Sequence, residues 1–140
     1  MERWEIQQRI NELEMYRDEL EAKITDLEGK KDRLELEQTR KLRQIEYVSD
    51  LYSEKRATAQ VLYDELEGVA LSKAACKLGA IYDISNEGNL VSKLEEAIYY
   101  LKKCSEKAES DIEEARLEIS DINWQIYGYR KDLESTKEEV

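Results

Sequence analysis

Apolar residues in the first third of the chain recur at alternating steps of four and three. Isoleucine occupies several a positions of this heptad pattern, and leucine dominates the d positions. Such a seam predicts one long helix, over about residues 2 to 66, that packs along a single face. The seam positions are Ile6, Ile10, Leu13, Arg17, Leu20, Ile24, Leu27, Lys31, Leu34, Gln38, Lys41, Ile45, Val48 and Tyr52.

A second seam with the same spacing fills the last third of the chain. It predicts a helix over about residues 90 to 138. Ser92 and Glu95 have capping-box spacing and Asn89 is a further capping residue, so this helix is expected to begin near residues 89 to 92. The seam positions are Val91, Leu94, Ile98, Leu101, Ser105, Ala108, Ile112, Ala115, Ile119, Ile122, Ile126, Tyr129 and Leu133.

The segment between the seams is rich in glycine and small residues. Its first half, to about Leu78, is compatible with helix, whereas Gly79 to Asn89 resembles a connection because Asn and Gly favour turn conformations. Two long helices joined by one soft, glycine-containing connection predict an all-α fold, a long antiparallel helical hairpin of coiled-coil type. We expect residues 1–140 to form one domain, with a partly helical connection over about residues 67–89.

The interruptions of the two seams predict a register. If partner residue numbers sum to roughly 143 to 146, long polar stems lie over small residues while their charged ends reach solvent. The interruptions are Lys31, Gln38 and Lys41 in the first seam and Ser105, Ala108 and Ala115 in the second. Two alternatives are a plain hairpin, which would pair Lys31 with the far end of the second helix, and a parallel homodimer through the same seams.

Composition narrows the classes of partner. The 140 residues include 39% charged residues and no proline, and the net charge is -11. Nucleic acid and anionic membrane surfaces are therefore unexpected partners, because both require clustered Lys and Arg. No apolar run reaches the roughly 20 residues of a membrane span, so no membrane insertion is expected. The acidic N-terminus does not resemble a secretory signal peptide, which favours a cytoplasmic location, with export without a cleaved signal as an alternative.

The sequence offers little for catalysis. There is no histidine, and no phosphate-binding loop, GxSxG or CxxC motif occurs. Acidic residues fall mainly on outward heptad positions, where they form solvated faces. We therefore expect no enzyme activity, no cofactor and no metal. Cys76 and Cys104 are interpreted as reduced thiols, and a disulfide between them would require the chain to double back.

Aromatic residues on the outer face of the second helix predict a partner-binding site. With Ile119 at a, Trp124 falls at f and Tyr127 at b, facing away from the seam. Gly128 and Lys131 continue the same face, and a mid-helix glycine lets another backbone approach closely. Exposed Trp and Tyr are typical of interface hot spots. The alternatives are that the N-terminal segment with Trp4 covers this face, or that the aromatic side chains are isolated surface residues.

A second candidate patch lies earlier on the same helix. Tyr99 and Tyr100 fall at b and c, again away from the seam. We include both tyrosines among the predicted partner-binding residues.

The chain resembles the small helical-hairpin proteins of bacterial type VII secretion, in particular the WXG-like helical proteins associated with LXG-type toxins. The resemblance rests on the N-terminal heptads "IQQRINELEMYRDELEAKITDLEGKKDRL", the soft centre and the C-terminal "SDIEEARLEISDINWQIYGYRKDLE". It implies a targeting factor or chaperone that binds the helical N-terminal domain of the toxin or a second small helical protein. No WxG tripeptide is present at the predicted turn.

Two other functions are compatible with the pattern. One is a structural coiled coil, either a homodimeric spacer or a scaffold subunit. The other is a prefoldin-like holdase, which ranks lower because prefoldin hairpins need strands and Gly68 to Leu90 offers only the short "AIYDI".

Overall fold

The computed structural model describes residues 1–65 and 68–138, with side chains to residue 136. The helices are α1 (Arg3–Glu65), α2 (Val69–Ile81) and α3 (Ile84–Glu138), and the described ranges contain no strand. The predicted fold class, an all-α helical hairpin, is confirmed. The predicted end of the first helix at 66 and start of the connection at 67 fall on residues outside these ranges.

Two compact units divide the chain. The terminal unit combines Met1–Arg33 with Cys104–Val140, and the central unit comprises Leu34–Lys103. The terminal unit contains the beginning of α1 and most of α3, whereas the central unit contains the rest of α1, all of α2 and the beginning of α3.

The core of the terminal unit is built from the two predicted seams. Burying one isoleucine side chain stabilises a fold by about 1.5 to 3 kcal/mol, so a short stripe of such residues can hold two helices together. Partly buried seam residues, including Leu13 and Leu133, pack around this stripe. The buried residues are Ile6, Ile10 and Leu20 on α1 and Ala115, Ile122 and Ile126 on α3.

Polar contacts between α1 and α3 fix an antiparallel register in the terminal unit. Arg130 donates to Glu14 at 2.9 Å, and Arg116 donates to Glu28 at 3.0 Å. Both pairs satisfy the predicted sum of residue numbers. Lys31 donates to Glu109 at 2.7 Å, less than one helical turn from Ile112, so the alternative pairing with the far end of α3 is not what the structure adopts.

Small residues of the second seam are buried as predicted. Ser105, Ala108 and Ala115 are all buried on α3, while the Lys31 side chain stays about one-third exposed and its ammonium reaches Glu109. Burying the aliphatic stem of a lysine costs less free energy than burying its ammonium group, which accounts for this arrangement at Lys31.

The Lys31–Glu109 pair predicts a dependence of stability on pH. The hydrogen bond and charge of Lys31 lower the pKa of Glu109 below its ordinary 4.5. The stabilisation is therefore complete above about pH 4.5 and is lost as pH falls through the lower folded-state pKa. Urea unfolding should show the Glu109→Gln variant less stable than the parent at neutral pH, with a difference that shrinks in acid. A difference that stays constant to about pH 3 would contradict this linkage.

Small residues bring α2 close to α1 in the central unit. Ala59 on α1 and Ala75 on α2 are buried, and a Cβ placed on Gly79 would lie 3.8 Å from the Ala59 methyl. Tyr52 and Tyr82 add an edge-to-face ring contact with centroids 5.0 Å apart. Small side chains at these positions let the two helices pack directly against each other, since the distance between packed helices depends on the side chains at the contact.

The junction between α2 and α3 is shorter than predicted. The connection expected over Gly79 to Asn89 is helical except at Tyr82 and Asp83, and α3 begins at Ile84 instead of near residues 89 to 92. The Asp83 carboxylate accepts from the Asn86 backbone N–H at 2.7 Å, which is N-cap geometry.

Side chains at the junction tie the helix ends together. The Asn86 amide donates to the carbonyl groups of Ala80 and Ile81, both at 3.1 Å, and so satisfies the C-terminus of α2. Arg56 of α1 donates to the Tyr82 carbonyl at 3.0 Å. Asn86, one of the residues that predicted a connection, therefore lies in the first turn of α3 and binds the end of α2.

Substitution of the cap distinguishes the observed boundary from the predicted one. Asp83→Ala should lower the free energy of unfolding by about 1 kcal/mol, because an N-cap hydrogen bond is lost. Ser92, the residue expected to cap, lies inside α3. Ser92→Ala is thus the matched control and should be neutral or slightly stabilising. Urea denaturation followed by circular dichroism measures the free energy of unfolding of both variants. A larger loss in Ser92→Ala than in Asp83→Ala would place the start of the helix near residues 89 to 92.

Candidate partner-binding site

Trp124 and Tyr127 form an ordered aromatic pair on the outer face of α3. The indole is 71% exposed and the phenol ring is exposed beside it. Their ring centroids lie 5.9 Å apart at an interplanar angle of 89°, the edge-to-face geometry that aromatic quadrupoles favour. The two rings therefore contact each other while most of their surface stays open to a partner.

Lys131 and Gly128 extend the pair along the helix. The Lys131 ammonium lies 4.8 Å from the centroid of the Tyr127 ring, a cation–π contact. A Cβ built on Gly128 would meet nothing within 4 Å, so no neighbouring group of the described chain requires glycine there. We name Trp124, Tyr127, Gly128 and Lys131 the aromatic stripe.

Two polar residues complete the surface around the stripe. Ser120 and Asn123 line a shallow depression of about 330 Å³ together with Trp124 and Tyr127. Neither residue is among the partner-binding residues predicted from the sequence. Ser120 lies four residues before Trp124 and Asn123 lies four residues before Tyr127, so helical spacing could have identified both.

Trp4 lies elsewhere in the described structure. Its indole N–H donates to the Glu2 carboxylate at 2.7 Å, and the side chain lines a depression with Gln7 and Leu133. It is 62% exposed. The stripe is exposed in the structure and is not covered by the N-terminal segment.

Tyr99 and Tyr100 form a second exposed pair, within the central unit. Their centroids lie 5.7 Å apart at 73°, and the Lys103 ammonium lies 5.4 Å from the Tyr99 ring. The spacing of an aromatic residue and a lysine four positions later is the same as in Tyr127 and Lys131. Both predicted patches are therefore exposed, and each belongs to a different unit.

Side chains that could bind a metal ion are not clustered in the described part of the chain. No cluster of three or more Cys, Asp and Glu residues that could hold a metal ion occurs there. Cys76 and Cys104 are free and exposed. Across residues 1–65 and 68–138, no helix combines the length and apolar character that crossing a membrane demands.

Shifted pKa values in the terminal unit have structural causes. The Tyr16 hydroxyl donates to Glu118 at 2.9 Å, and this hydrogen bond raises the pKa of the phenol. Lys107 and Asp111 form an i,i+4 ion pair that raises the pKa of the lysine and lowers that of the aspartate. These pKa shifts arise from hydrogen bonds and ion pairs between side chains on the helix surfaces.

Comparison with known proteins gives no functional assignment for this chain. No protein-family model, no curated protein and no solved structure matches this chain.

Proposed function

We propose that the chain is a non-enzymatic protein-binding module whose aromatic stripe docks a helical protein partner. The observation that carries this proposal is the exposed, edge-to-face pair of Trp124 and Tyr127 on α3. Aromatic anchors of this kind dominate binding energy when a partner buries them. A helix that already positions both rings also loses little conformational entropy on binding.

The surface around the stripe favours a helix as the docking element. Gly128 leaves room for a partner backbone, since no side chain rises from the helix at that position. Amphipathic helices dock through residues at i, i+3, i+4 and i+7, and the stripe follows the same spacing along α3. A flat apolar helix face with small residues would therefore complement the two rings.

The proposed partner is the helical N-terminal domain of an LXG-type toxin. The resemblance to small helical proteins of type VII secretion supports this partner, and the exposed stripe supplies the docking surface. In this role the chain acts as a targeting factor or chaperone, which shields the toxin domain before export. The net charge of -11 would increase the rate of encounter with a basic partner surface.

Co-expression tests this proposal. The chain is produced with the tagged helical N-terminal domain of an LXG-type toxin, and the tagged domain is purified at moderate salt. A stoichiometric complex is expected. Co-expression with an unrelated helical domain of similar charge is the control, and equal recovery of both domains, or of neither, would overturn the assignment.

A homodimeric spacer is the second candidate, favoured by exposed apolar residues on α1. Leu36, Leu42 and Tyr47 are all exposed in the central unit. Light scattering of the purified chain distinguishes the two functions. The binding module is expected to be monomeric at micromolar concentration, whereas a spacer would remain a dimer on dilution.

A further inference from the structure

α2 is unusually apolar for a helix that buries so little. Its sequence, VALSKAACKLGAI, contains two charged residues, and Ala75 is its one buried residue. Val69 is 74% exposed, and Ile81 is exposed near the other end of the helix. A helix that is apolar on most of its surface is normally covered. The central unit does not cover the outer face of α2.

The outer face of α2 has a defined charge pattern. Lys73 and Lys77 lie one turn apart, opposite the buried Ala75, and helical spacing places Val69 and Ala80 on one side of them and Ala70 and Ile81 on the other. A depression on this face is lined by Gly68, Val69, Ser72, Lys73, Cys76 and Lys77, with no acidic residue among them.

Neither lysine is neutralised within the described ranges. The ion pairs formed by residues 1–65 and 68–136 involve other cations. A helix with two lysines and no acid is exceptional in a chain of net charge -11. The α2 face is thus a cationic, apolar surface on an otherwise acidic protein.

We infer that the α2 face is a second docking surface, which takes an amphipathic helix bearing carboxylates one turn apart beside apolar residues. Carboxylates at that spacing would meet Lys73 and Lys77, and the flanking apolar residues would cover Val69 and Ile81. Complementary charge of this kind sets partner choice and orientation at helix interfaces. This surface is separate from the aromatic stripe and does not depend on the function proposed for it.

Two other occupants fit the face less well. An anionic membrane surface attracts clusters of several Lys or Arg residues, whereas α2 offers two in a strongly acidic chain. A second copy placed symmetrically, with α2 against α2, would bring like charges together, which destabilises an interface. An acidic helix removes both objections.

A designed peptide tests the inference on the full chain. The probe is a fluorescent amphipathic helix of about 20 residues, long enough to be helical, with Glu at i,i+4 positions beside a leucine stripe. The control peptide has Lys in place of each Glu. Anisotropy titrations should show saturable binding of the Glu peptide, weakened by added salt because exposed charges are screened. The Lys peptide should bind at least about tenfold more weakly.

Matched variants assign the binding to α2. Lys73→Glu with Lys77→Glu should weaken the Glu peptide by about tenfold, whereas Lys93→Glu with Lys102→Glu, an equal charge change on exposed α3 residues, should change affinity by less than about twofold. Val69→Ser with Ile81→Ser should also weaken binding, with Leu36→Ser and Leu42→Ser as the apolar control. Circular dichroism verifies that each variant stays helical.

Four outcomes would overturn the inference. The first two are equal binding of both peptides and unchanged binding of the Glu peptide to Lys73→Glu with Lys77→Glu. The third is attachment of the chain to phosphatidylserine vesicles without peptide binding. The fourth is self-association that the α2 variants abolish, again without peptide binding. The Trp124→Ala, Tyr127→Ala variant should bind the Glu peptide normally. Failure of the toxin-binding proposal is therefore distinguishable from failure of the inference about the α2 face.

Discussion

Replacing Trp124 and Tyr127 by alanine is expected to weaken binding of the helical toxin domain by about 2 kcal/mol or more. Both rings are exposed in the structure, so their removal deletes contact area that a partner would bury and leaves the packed seam intact. Calorimetric titration measures the loss. Far-ultraviolet circular dichroism should show unchanged helicity, because neither ring belongs to the buried core.

The chain provides a matched control for this double variant. Trp4 and Tyr47 are also an exposed tryptophan and an exposed tyrosine, and neither lies in the aromatic stripe. Trp4→Ala with Tyr47→Ala should leave affinity within about 0.5 kcal/mol of the parent. Equal losses in both double variants would show that general aromatic exposure, and not the stripe, determines binding.

Ile126→Ala is expected to destabilise the terminal unit strongly. The side chain is 2% exposed and packs in the cluster shared by α1 and α3. Truncating a buried isoleucine to alanine costs about 2 to 5 kcal/mol, since transfer energy is lost and a cavity remains. Urea denaturation should therefore give a clearly lower midpoint.

Leu117 serves as the control for that substitution. It lies on the same helix and is 69% exposed, so Leu117→Ala should change the free energy of unfolding by no more than about 0.5 kcal/mol. If Leu117→Ala were the more destabilising variant, the packing of α3 on α1 would be wrong, because the opposite face of α3 would then be the buried one.

The helices and their pairing could be predicted from the heptad spacing of apolar residues and from the sizes of the seam side chains. Heptad spacing marks Ile6, Ile122 and Ile126 as inward, and all three are buried. The register follows from a packing rule, since the long Lys31 side chain and the small residues of the second seam are complementary in size. The pairing of Glu14 with Arg130 agrees with that register.

The α2–α3 junction could not be predicted because it depends on competing local signals. Asn86, Gly88 and Asn89 are turn formers in isolation, and Ser92 with Glu95 has the spacing of a cap. Around Asp83 the Asn86 side chain binds the end of α2, and Arg56 of α1 binds the Tyr82 carbonyl. The Arg56 contact joins residues far apart in sequence, and such a contact leaves no periodic signal.

The aromatic stripe was predictable in position but not in detail. Heptad positions f and b place Trp124 and Tyr127 outward, which the structure reproduces. The edge-to-face geometry and the Lys131 contact depend on rotamers, which sequence spacing does not specify. The unpartnered face of α2 escaped prediction, because burial depends on which neighbours the helix meets in space.

A fluorine label on Trp124 tests the central claim most directly. The Trp4→Phe variant retains Trp124 as its one tryptophan, and growth with 5-fluorotryptophan gives the chain a single reporter at the stripe. Titration with the unlabelled helical N-terminal domain of an LXG-type toxin, the proposed partner, should shift this fluorine resonance and saturate at one equivalent. Saturable binding with an unmoved resonance, or no binding at all, would contradict the account.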